Sequence, residues 1–224
     1  LPFLFDDIEA ELAVQASDTG ADLLEATRSA GIVGLGFWLD GFEQMTADRA
    51  IAAPGDLEGL SVWVRDSELK RAYIETIGAE PVTMPLTEVA DALAEGEIDA
   101  QGSSWSTIAT QGFAAAQEGF TETNHSVILY MVMTSAGFWE GLDPALREDL
   151  ARIVREVSHE RNRLAFQLNQ AARFRMQQNG VRVRELDEAQ RAAWKRALQE
   201  VWFGYGGDIG FDQISTALHV NRRN

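Results

Sequence analysis

Short apolar stretches alternate with longer amphipathic stretches over most of the chain, and the alternation is clearest between Leu57 and Trp105. Apolar or period-two stretches predict strands, whereas apolar residues every three or four positions predict helices. The predicted order is a strand at 61–65, a helix at 68–77, a strand at 81–84, a helix at 86–95 and a strand at 98–101. Strands alternating with helices predict an α/β fold with a parallel or mixed sheet and helices on its faces.

The later part of the chain predicts one long helix. Asp143 and Pro144 are typical of a helix start, and apolar residues continue at helical spacing as far as Asn179 and Gly180. A helix of that length exceeds the usual ~8–20 residues of globular helices, which predicts that it runs across two lobes. Residues 127–134, just before it, are apolar and predict a central strand buried on both faces.

The remaining pattern predicts three more helices, one strand, and a strand or extended return over residues 181–186. The helices are expected over residues 6–30, 104–117 and 187–202, and the strand over residues 34–38. Asp6 and Asp7 mark the start of the first helix, because aspartate caps helix N-termini, and Gly31 marks its end.

Composition restricts the classes of function. The 224-residue chain carries a formal net charge of −16, which argues against nucleic acid or an anionic membrane surface as a partner. It contains no cysteine, so a disulfide framework, a thiol nucleophile and a thiolate metal site are excluded. The three histidines are far apart in sequence and predict no metal site, and no nucleophile–base pair or phosphate-binding loop is present. The sequence therefore predicts ligand recognition without a cofactor, and not an enzyme.

The chain opens on an apolar run, Leu1-Pro2-Phe3-Leu4-Phe5, without a methionine or a basic leader. No apolar run anywhere is long enough to span a bilayer. The opening run is typical of a buried segment, and we expect packing partners for it upstream in a longer protein.

Several short motifs follow one another along the chain. They are Gly34-Leu35-Gly36-Phe37-Trp38, Asp40-Gly41-Phe42, Leu57-Glu58-Gly59-Leu60, Ile77-Gly78-Ala79-Glu80-Pro81, Ile98-Asp99-Ala100-Gln101, Thr123-Asn124-His125 and Leu142-Asp143-Pro144. In this order, and followed by the long helix, they resemble the solute-binding proteins of TRAP transporters, the DctP family. The resemblance covers nearly the whole chain.

The resemblance implies a periplasmic-binding-protein type II-like fold, in which two α/β lobes are joined by crossing strands and one long helix. On that basis residues 1–41 and 129–168 are expected to form lobe I, incomplete at its N-terminus, and residues 42–128 and 169–224 to form lobe II. The family also implies a periplasmic location, a small-molecule ligand held between the lobes, and delivery of that ligand to a membrane permease. A homodimer through the long helix is a further expectation.

Three positions depart from the family pattern for organic acids. The arginine that follows the LxGL turn in such proteins, whose guanidinium suits a carboxylate, is Trp63 here. A second arginine is replaced by Glu43, and an asparagine by Ser103. The resemblance also points to Asp66 at a polar position and to Leu86 at an aromatic one. With their neighbours, the candidate ligand-binding residues are Trp63, Glu43, Asp66, Ser103, Arg65, Trp105, Phe37, Trp38, Gln101 and Leu86.

These departures leave three classes of ligand open. A carboxylate in the usual pose would meet Glu43 and Asp66, so a small cation or amine, held by these acids and by Trp63 and Trp105, is favoured. A neutral polyol or sugar stacked on tryptophan is the second class. An organic acid is the third, because Arg65 lies two residues after Trp63 and faces the same side of a strand.

The candidates also have structural interpretations. Trp63 is then a core residue, and Glu43 and Asp66 are solvated loop acids. The loss of the two family arginines also leaves a second function open, that of a binding-incompetent relative which acts through protein contacts.

Overall fold

The computed structural model describes residues 1–221, and the chain divides into two compact units. The sheet unit comprises residues 1–4, 41–127 and 168–210. The helical unit comprises residues 5–40, 128–167 and the described residues from Phe211 on. Each unit is thus assembled from segments that are distant in sequence.

A six-stranded mixed sheet organises the sheet unit. The strands, in chain order, are β1 (Ile32–Phe42), β2 (Gln44–Ala47), β3 (Ser61–Trp63), β4 (Glu80–Val82), β5 (Ala100–Ser103), β6 (Gly119–Glu122), β7 (Val127–Ser135) and β8 (Val183–Glu185). The six-stranded sheet has the order β4-β3-β5-β2-β6-β8. β2 is antiparallel to both neighbours, and every other pair in this sheet is parallel. The mixed α/β sheet that the sequence predicts is therefore present.

Helices follow most strands of this sheet. In chain order the helices are α1 (Ile8–Gln15), α2 (Asp18–Glu25), α3 (Glu68–Thr76), α4 (Val89–Glu95), α5 (Trp105–Thr110), α6 (Phe113–Ala116), α7 (Ala136–Gly141), α8 (Pro144–Gln178), α9 (Glu188–Ala197), α10 (Gln199–Ile209) and α11 (Phe211–Asn221). The start of α3 is fixed by Ser67, whose side chain accepts a hydrogen bond from Lys70 N. This cap places Lys70 in the first turn of the helix.

Each face of the six-stranded sheet packs in its own apolar core. Because successive side chains of a strand point to opposite faces, Val62 and Trp63 go to different cores. Val62 packs in a core with Ile74 and Trp194, and Trp63 in one with Trp105. Both cores lie within the sheet unit.

Helix α8 spans 35 residues, as the sequence predicts. Asp143 Oδ1 accepts a hydrogen bond from Ala145 N at 2.9 Å, and Pro144 occupies the first helical position, where a missing N–H costs nothing. Up to Gln167 the helix belongs to the helical unit, and from Leu168 on to the sheet unit. Among residues 1–221, no helix combines the length and the apolar character that crossing a membrane requires.

Three predicted helices are interrupted. The helix expected over 6–30 is split into α1 and α2, because Ser17 Oγ bonds back to Val14 O at 2.7 Å and Gly20 packs directly on the Gln15 backbone. The helix expected over 104–117 is split at Gly112, whose φ of 82° favours glycine. The helix expected over 187–202 is split at Leu198, where the sequence carries no glycine or proline.

In the helical unit, β1 and β7 form a two-stranded sheet. β1 covers 11 residues and is longer than the predicted strand. β7 is not buried on both faces, since Tyr130 and Met133 are 52% and 58% exposed. The prediction of a central strand is therefore wrong for the described residues, because β7 pairs with a single strand there.

The two ends of the chain group differently from the expected lobes. Residues 1–4 belong to the sheet unit, where Phe3 is buried and its backbone N donates to His125 O at 2.7 Å. The described residues from Phe211 on belong to the helical unit, where α11 packs against α1. The assignment of lobes I and II stays a prediction.

Among residues 1–221, Glu11 of the helical unit is a buried acid for which no ion pair is found. Glu11 is 1% exposed, and Gln15 Nε2 donates to its Oε1 at 2.5 Å. Burial raises the pKa of Glu11 to about 7. The folded state therefore favours the protonated acid, and its stability falls as the pH rises from about 4.5 to about 7.

Replacement of Glu11 by glutamine is expected to increase the free energy of unfolding at about pH 8 by up to roughly 3 kcal/mol, at about 1.4 kcal/mol per pKa unit. At about pH 4 the change should be small, because the native acid is then already neutral. Denaturant unfolding at both pH values measures the difference, and Glu9→Gln, at an exposed position of the same helix, is the control. An equal gain at both pH values would contradict the assignment.

Candidate ligand-binding site

The sheet topology brings three chain segments to one end of the sheet. β3 and β5 are parallel, with Trp63 beside Gln101, and β2 is antiparallel to β5, with Gln44 beside Ser103. The carboxyl ends of β3 and β5 and the start of β2 therefore lie together, at the end of the strands where α/β sheets commonly bind ligands. With the adjacent start of α3, these segments form the strand-end site, which we define as Glu43, Trp63, Arg65, Lys70 and Ser103.

Glu43 is the electrostatic centre of the strand-end site. Its side chain is 3% exposed, and its Oε2 atom contacts the Lys70 ammonium. Arg65 Nη1 lies 3.8 Å from Glu43 Oε1, and Tyr73 OH donates to Oε2 at 3.4 Å. The interpretation of Glu43 as a solvated loop acid is therefore corrected, because the side chain is buried among partners of its own chain.

Two opposing effects act on the pKa of Glu43. Burial raises it, but the Lys70 ammonium and the neighbouring guanidinium of Arg65 outweigh burial and leave the pKa of Glu43 below its ordinary value. Glu43 is therefore ionised at neutral pH, and two cationic side chains face it.

His125 forms the inner wall behind Glu43. The Thr123 hydroxyl lies 2.7 Å from His125 Nδ1, and His125 Nε2 lies 3.8 Å from Glu43 Oε2. The imidazole stacks on Trp194 with ring centroids 6.4 Å apart. Burial lowers the pKa of His125 to about 4, so the ring is neutral at physiological pH.

The buried neutral His125 predicts a loss of stability in mild acid. Because its folded-state pKa lies below the ordinary 6.5, its contribution is complete above about pH 6.5 and is lost as the pH falls to about 4. We expect this to amount to roughly 3 kcal/mol. His125→Gln should flatten the pH dependence of the unfolding free energy over that interval, whereas His159→Gln, at an exposed position of α8, should leave it unchanged. Equal slopes in all three proteins would contradict the prediction.

Trp63 is a core residue beneath the site. It is 2% exposed, and its Nε1 donates to Met84 O at 3.1 Å. The guanidinium carbon of Arg65 lies 5.4 Å from the centroid of the Trp63 ring, a distance at which a cation interacts with the ring face. The ring of Trp63 therefore packs against the Arg65 guanidinium and helps to hold it in position.

Three polar atoms on the Trp63 face of the sheet are buried without a hydrogen-bond partner among the described residues. They are Ser103 Oγ, Trp105 Nε1 and Gln101 Oε1. The amide nitrogen of Gln101 is satisfied, since it donates to Thr46 Oγ1 at 2.8 Å. Buried polar groups normally have partners, so these atoms indicate that water or a ligand completes this face.

Asp66 and Leu86 lie at the exposed margin of the same unit. Asp66 Oδ1 accepts from Arg71 Nη2 at 2.8 Å, so its carboxylate already has a cation. Leu86 is 36% exposed. The expectation that Glu43 and Asp66 together hold a cation is therefore corrected, because each carboxylate is paired within the protein.

The predicted residues Phe37 and Trp38 belong to β1 and lie in the helical unit. Phe37 O accepts from Asn162 Nδ2 at 3.0 Å, and Trp38 Nε1 donates to Ser158 Oγ at 3.0 Å. These bonds tie β1 to α8. Trp38 keeps 42% of its surface exposed, so its ring remains accessible.

Lys70 is the site residue that sequence reasoning missed. A lysine in the first turn of a helix lies at the unfavourable, positive end of the helix dipole. That position was a readable sign of a compensating acid, and Glu43 supplies it. Their separation by 27 positions left nothing in the local pattern to join them.

The chemistry available at the strand-end site is ion pairing and hydrogen-bond donation. Arg65 and Lys70 supply cationic donors, and Ser103 and Trp105 supply neutral ones. Within residues 1–221, no three histidine, aspartate or glutamate side chains are grouped so that they hold a metal ion. This donor set suits a ligand with acceptor oxygens.

Comparison with known sequences identifies the family. A sequence model of the bacterial extracellular solute-binding proteins, family 7 (DctP), matches residues 1–206. A C4-dicarboxylate-binding periplasmic protein DctP of Vibrio cholerae is 38% identical over 223 residues, which are 100% of this chain and 67% of that protein. The chain spans about two thirds of the length of the curated relatives that it matches.

Solved structures agree with the sequence match. A TRAP periplasmic solute-binding protein of Shewanella oneidensis with bound succinate has a TM-score of 0.93 and 32% identity, covering 99% of this chain and 73% of that one. One of Pseudomonas aeruginosa with bound L-malate has a TM-score of 0.86 and 34% identity, covering 92% of this chain and 72% of that one. The predicted fold, the periplasmic location and the class of solute-binding protein rather than enzyme are confirmed by these matches. The chain belongs to the DctP family of TRAP-transporter solute-binding proteins, the bacterial extracellular solute-binding proteins of family 7.

Proposed function

We propose that this protein binds a small organic acid at the strand-end site and delivers it to a TRAP-type membrane permease. The observation that carries the proposal is the pairing of buried Glu43 with Lys70 and Arg65. Glu43 is already neutralised from within, and the side chain of Arg65 beside it remains 25% exposed. A carboxylate is the ligand group that a partly exposed guanidinium binds best.

The small cation or amine that the sequence favoured is set aside. It depended on Glu43 and Asp66 as ligand-facing acids, and both are paired within the chain. The related structures of known ligand, at 32% and 34% identity, hold the carboxylates succinate and L-malate. Arg65, two positions after the residue that replaces the family arginine, therefore takes the role that the sequence left as its third alternative.

A neutral sugar stacked on tryptophan is also disfavoured. Trp63 and Trp105 are 2% and 3% exposed, which leaves no ring face of either residue for a sugar. The buried donors Ser103 Oγ and Trp105 Nε1 suit the acceptor oxygens of a carboxylate instead.

The second candidate function, that of a binding-incompetent relative, depends on the replacement of the two family arginines by Trp63 and Glu43. Arg65 restores one cation to the strand-end site, beside the Glu43–Lys70 pair, and this favours a functional binding protein. A homodimer through α8 stays a prediction, and sedimentation equilibrium tests it.

A thermal-shift screen tests the proposed function. Organic acids, amines and polyols are compared at equal concentration, because a ligand that binds the folded state raises the melting temperature by mass action. The proposal predicts stabilisation by one or more acids, and none by the amines. Stabilisation by amines alone, or by no compound at all, would overturn it.

A further inference from the structure

We infer that Glu43 makes the strand-end site selective for a singly charged acid over a dicarboxylate of the same size. The inference rests on the proposed function, since it concerns the same site, and it names the charge of the ligand. The ligand class inferred here differs from the ligands of the two related structures, because succinate and L-malate are dicarboxylates.

Glu43 is a fixed residue of the site, and its carboxylate neutralises Lys70. Its backbone N donates to Ser126 O at 2.8 Å, and its carbonyl accepts from Thr123 Oγ1 at 3.3 Å. Its carboxylate is held by Lys70 and by Tyr73 OH. Since both backbone and side chain are anchored, Glu43 stays in place when a ligand arrives.

Lys70 forms an ion pair with Glu43. Besides its contact with Oε2, the ammonium lies 3.2 Å from Ser126 Oγ and 5.4 Å from the centroid of the Tyr73 ring. Its side chain is 15% exposed. A ligand therefore meets Lys70 as one half of an ion pair, and not as a free cation.

A ligand carboxylate at Arg65 lies close to the Glu43 carboxylate, because Arg65 Nη1 is 3.8 Å from Glu43 Oε1. One carboxylate is compensated by the guanidinium. A second carboxylate on the same small molecule finds no such cation, because Glu43 already neutralises Lys70, and it stays uncompensated in a poorly solvated site. At an effective dielectric constant of about 20, a unit charge at a distance of about 6–12 Å changes the affinity on the order of 10- to 100-fold, and this is the penalty we expect.

The family pattern explains why relatives differ. The resemblance implies an arginine at the position of Glu43 in proteins that bind organic acids, so the charge there is reversed in this chain. A relative with two arginines has a cation for each carboxylate. Here the second cation is replaced by an anion.

Succinate and its monoamide, succinamate, test the inference by calorimetric titration, because they match in size and differ by one charge. The native protein should bind succinamate on the order of 10- to 100-fold more tightly than succinate. In Glu43→Gln the ratio should fall by a similar factor. The ratio is the readout because a loss of folding or of general affinity changes both constants alike.

Two further variants separate charge from structure. Glu43→Gln combined with Lys70→Gln restores the net charge of the site and should return the ratio toward the native one. Glu68→Gln, at an exposed position of α3, should leave it unchanged. Equal ratios in the native protein and in Glu43→Gln would overturn the inference while leaving acid binding intact. Stabilisation of the native protein by no acid in the thermal-shift screen would overturn the proposed function as well.

Discussion

Replacement of Lys70 by methionine is expected to lower the free energy of unfolding by about 3–5 kcal/mol, because it leaves the buried Glu43 carboxylate without its nearest cation. Methionine keeps the length of the side chain and removes only the charge. The loss should be largest near neutral pH. The pKa of Glu43 is lowered in the native protein, so the stability that the pair supplies is present above about pH 4.5 and is lost as the pH falls through the folded-state pKa.

Denaturant unfolding of the native protein and the variant, at about pH 7 and about pH 4, measures this effect. Lys195→Met removes the same charge from an exposed position of α9 and should cost less than about 1 kcal/mol. Adding Glu43→Gln to Lys70→Met should recover part of the loss, since no buried charge then remains unpaired. A cost for Lys70→Met as small as that for Lys195→Met would show that the pair is not a buried one.

Replacement of Arg65 by methionine is expected to weaken acid binding by about 100-fold, the usual effect of removing one partner of a charge-assisted contact. The variant keeps an apolar side chain on the Trp63 ring, so the core beneath the site should stay packed. Calorimetric titration with the acid that stabilises the native protein most measures the change.

Arg71→Met is the matched control, because Arg71 carries the same charge in α3 and is 39% exposed in its pair with Asp66. It should change the affinity less than about threefold, as expected for a surface charge. An affinity loss of equal size in both variants would mean that Arg65 acts only through the long-range field of the protein.

The sequence pattern predicted the sheet unit well because short strands and amphipathic helices alternate there without long insertions. It also located β3 and β5 to within two residues, since the strands predicted at 61–65 and 98–101 lie at Ser61–Trp63 and Ala100–Ser103. It failed where the decisive contact is distant in sequence. Glu43 looked like a ligand-facing acid because its partner Lys70 lies 27 positions away on α3, so neither local stretch identifies the other residue of the pair.

The solvent exposure of individual side chains was the other property that the sequence pattern did not predict. Trp63 was expected to present its ring to a ligand, yet register places it in an apolar core with Trp105. Residues 127–134 were expected to be buried because they are apolar, yet β7 has a single strand partner in the described structure and exposes Tyr130 and Met133. Apolar character predicts a strand, but the number of neighbouring strands decides how much of it is covered.

The central claim is that a carboxylate is the group by which this protein holds its ligand. Its most direct test is a calorimetric comparison, on the native protein, of the acid that stabilises it most and the corresponding carboxamide, which has the same shape and no charge. We expect the acid to bind at least about 100-fold more tightly than the carboxamide. Equal affinity for the two compounds would contradict it.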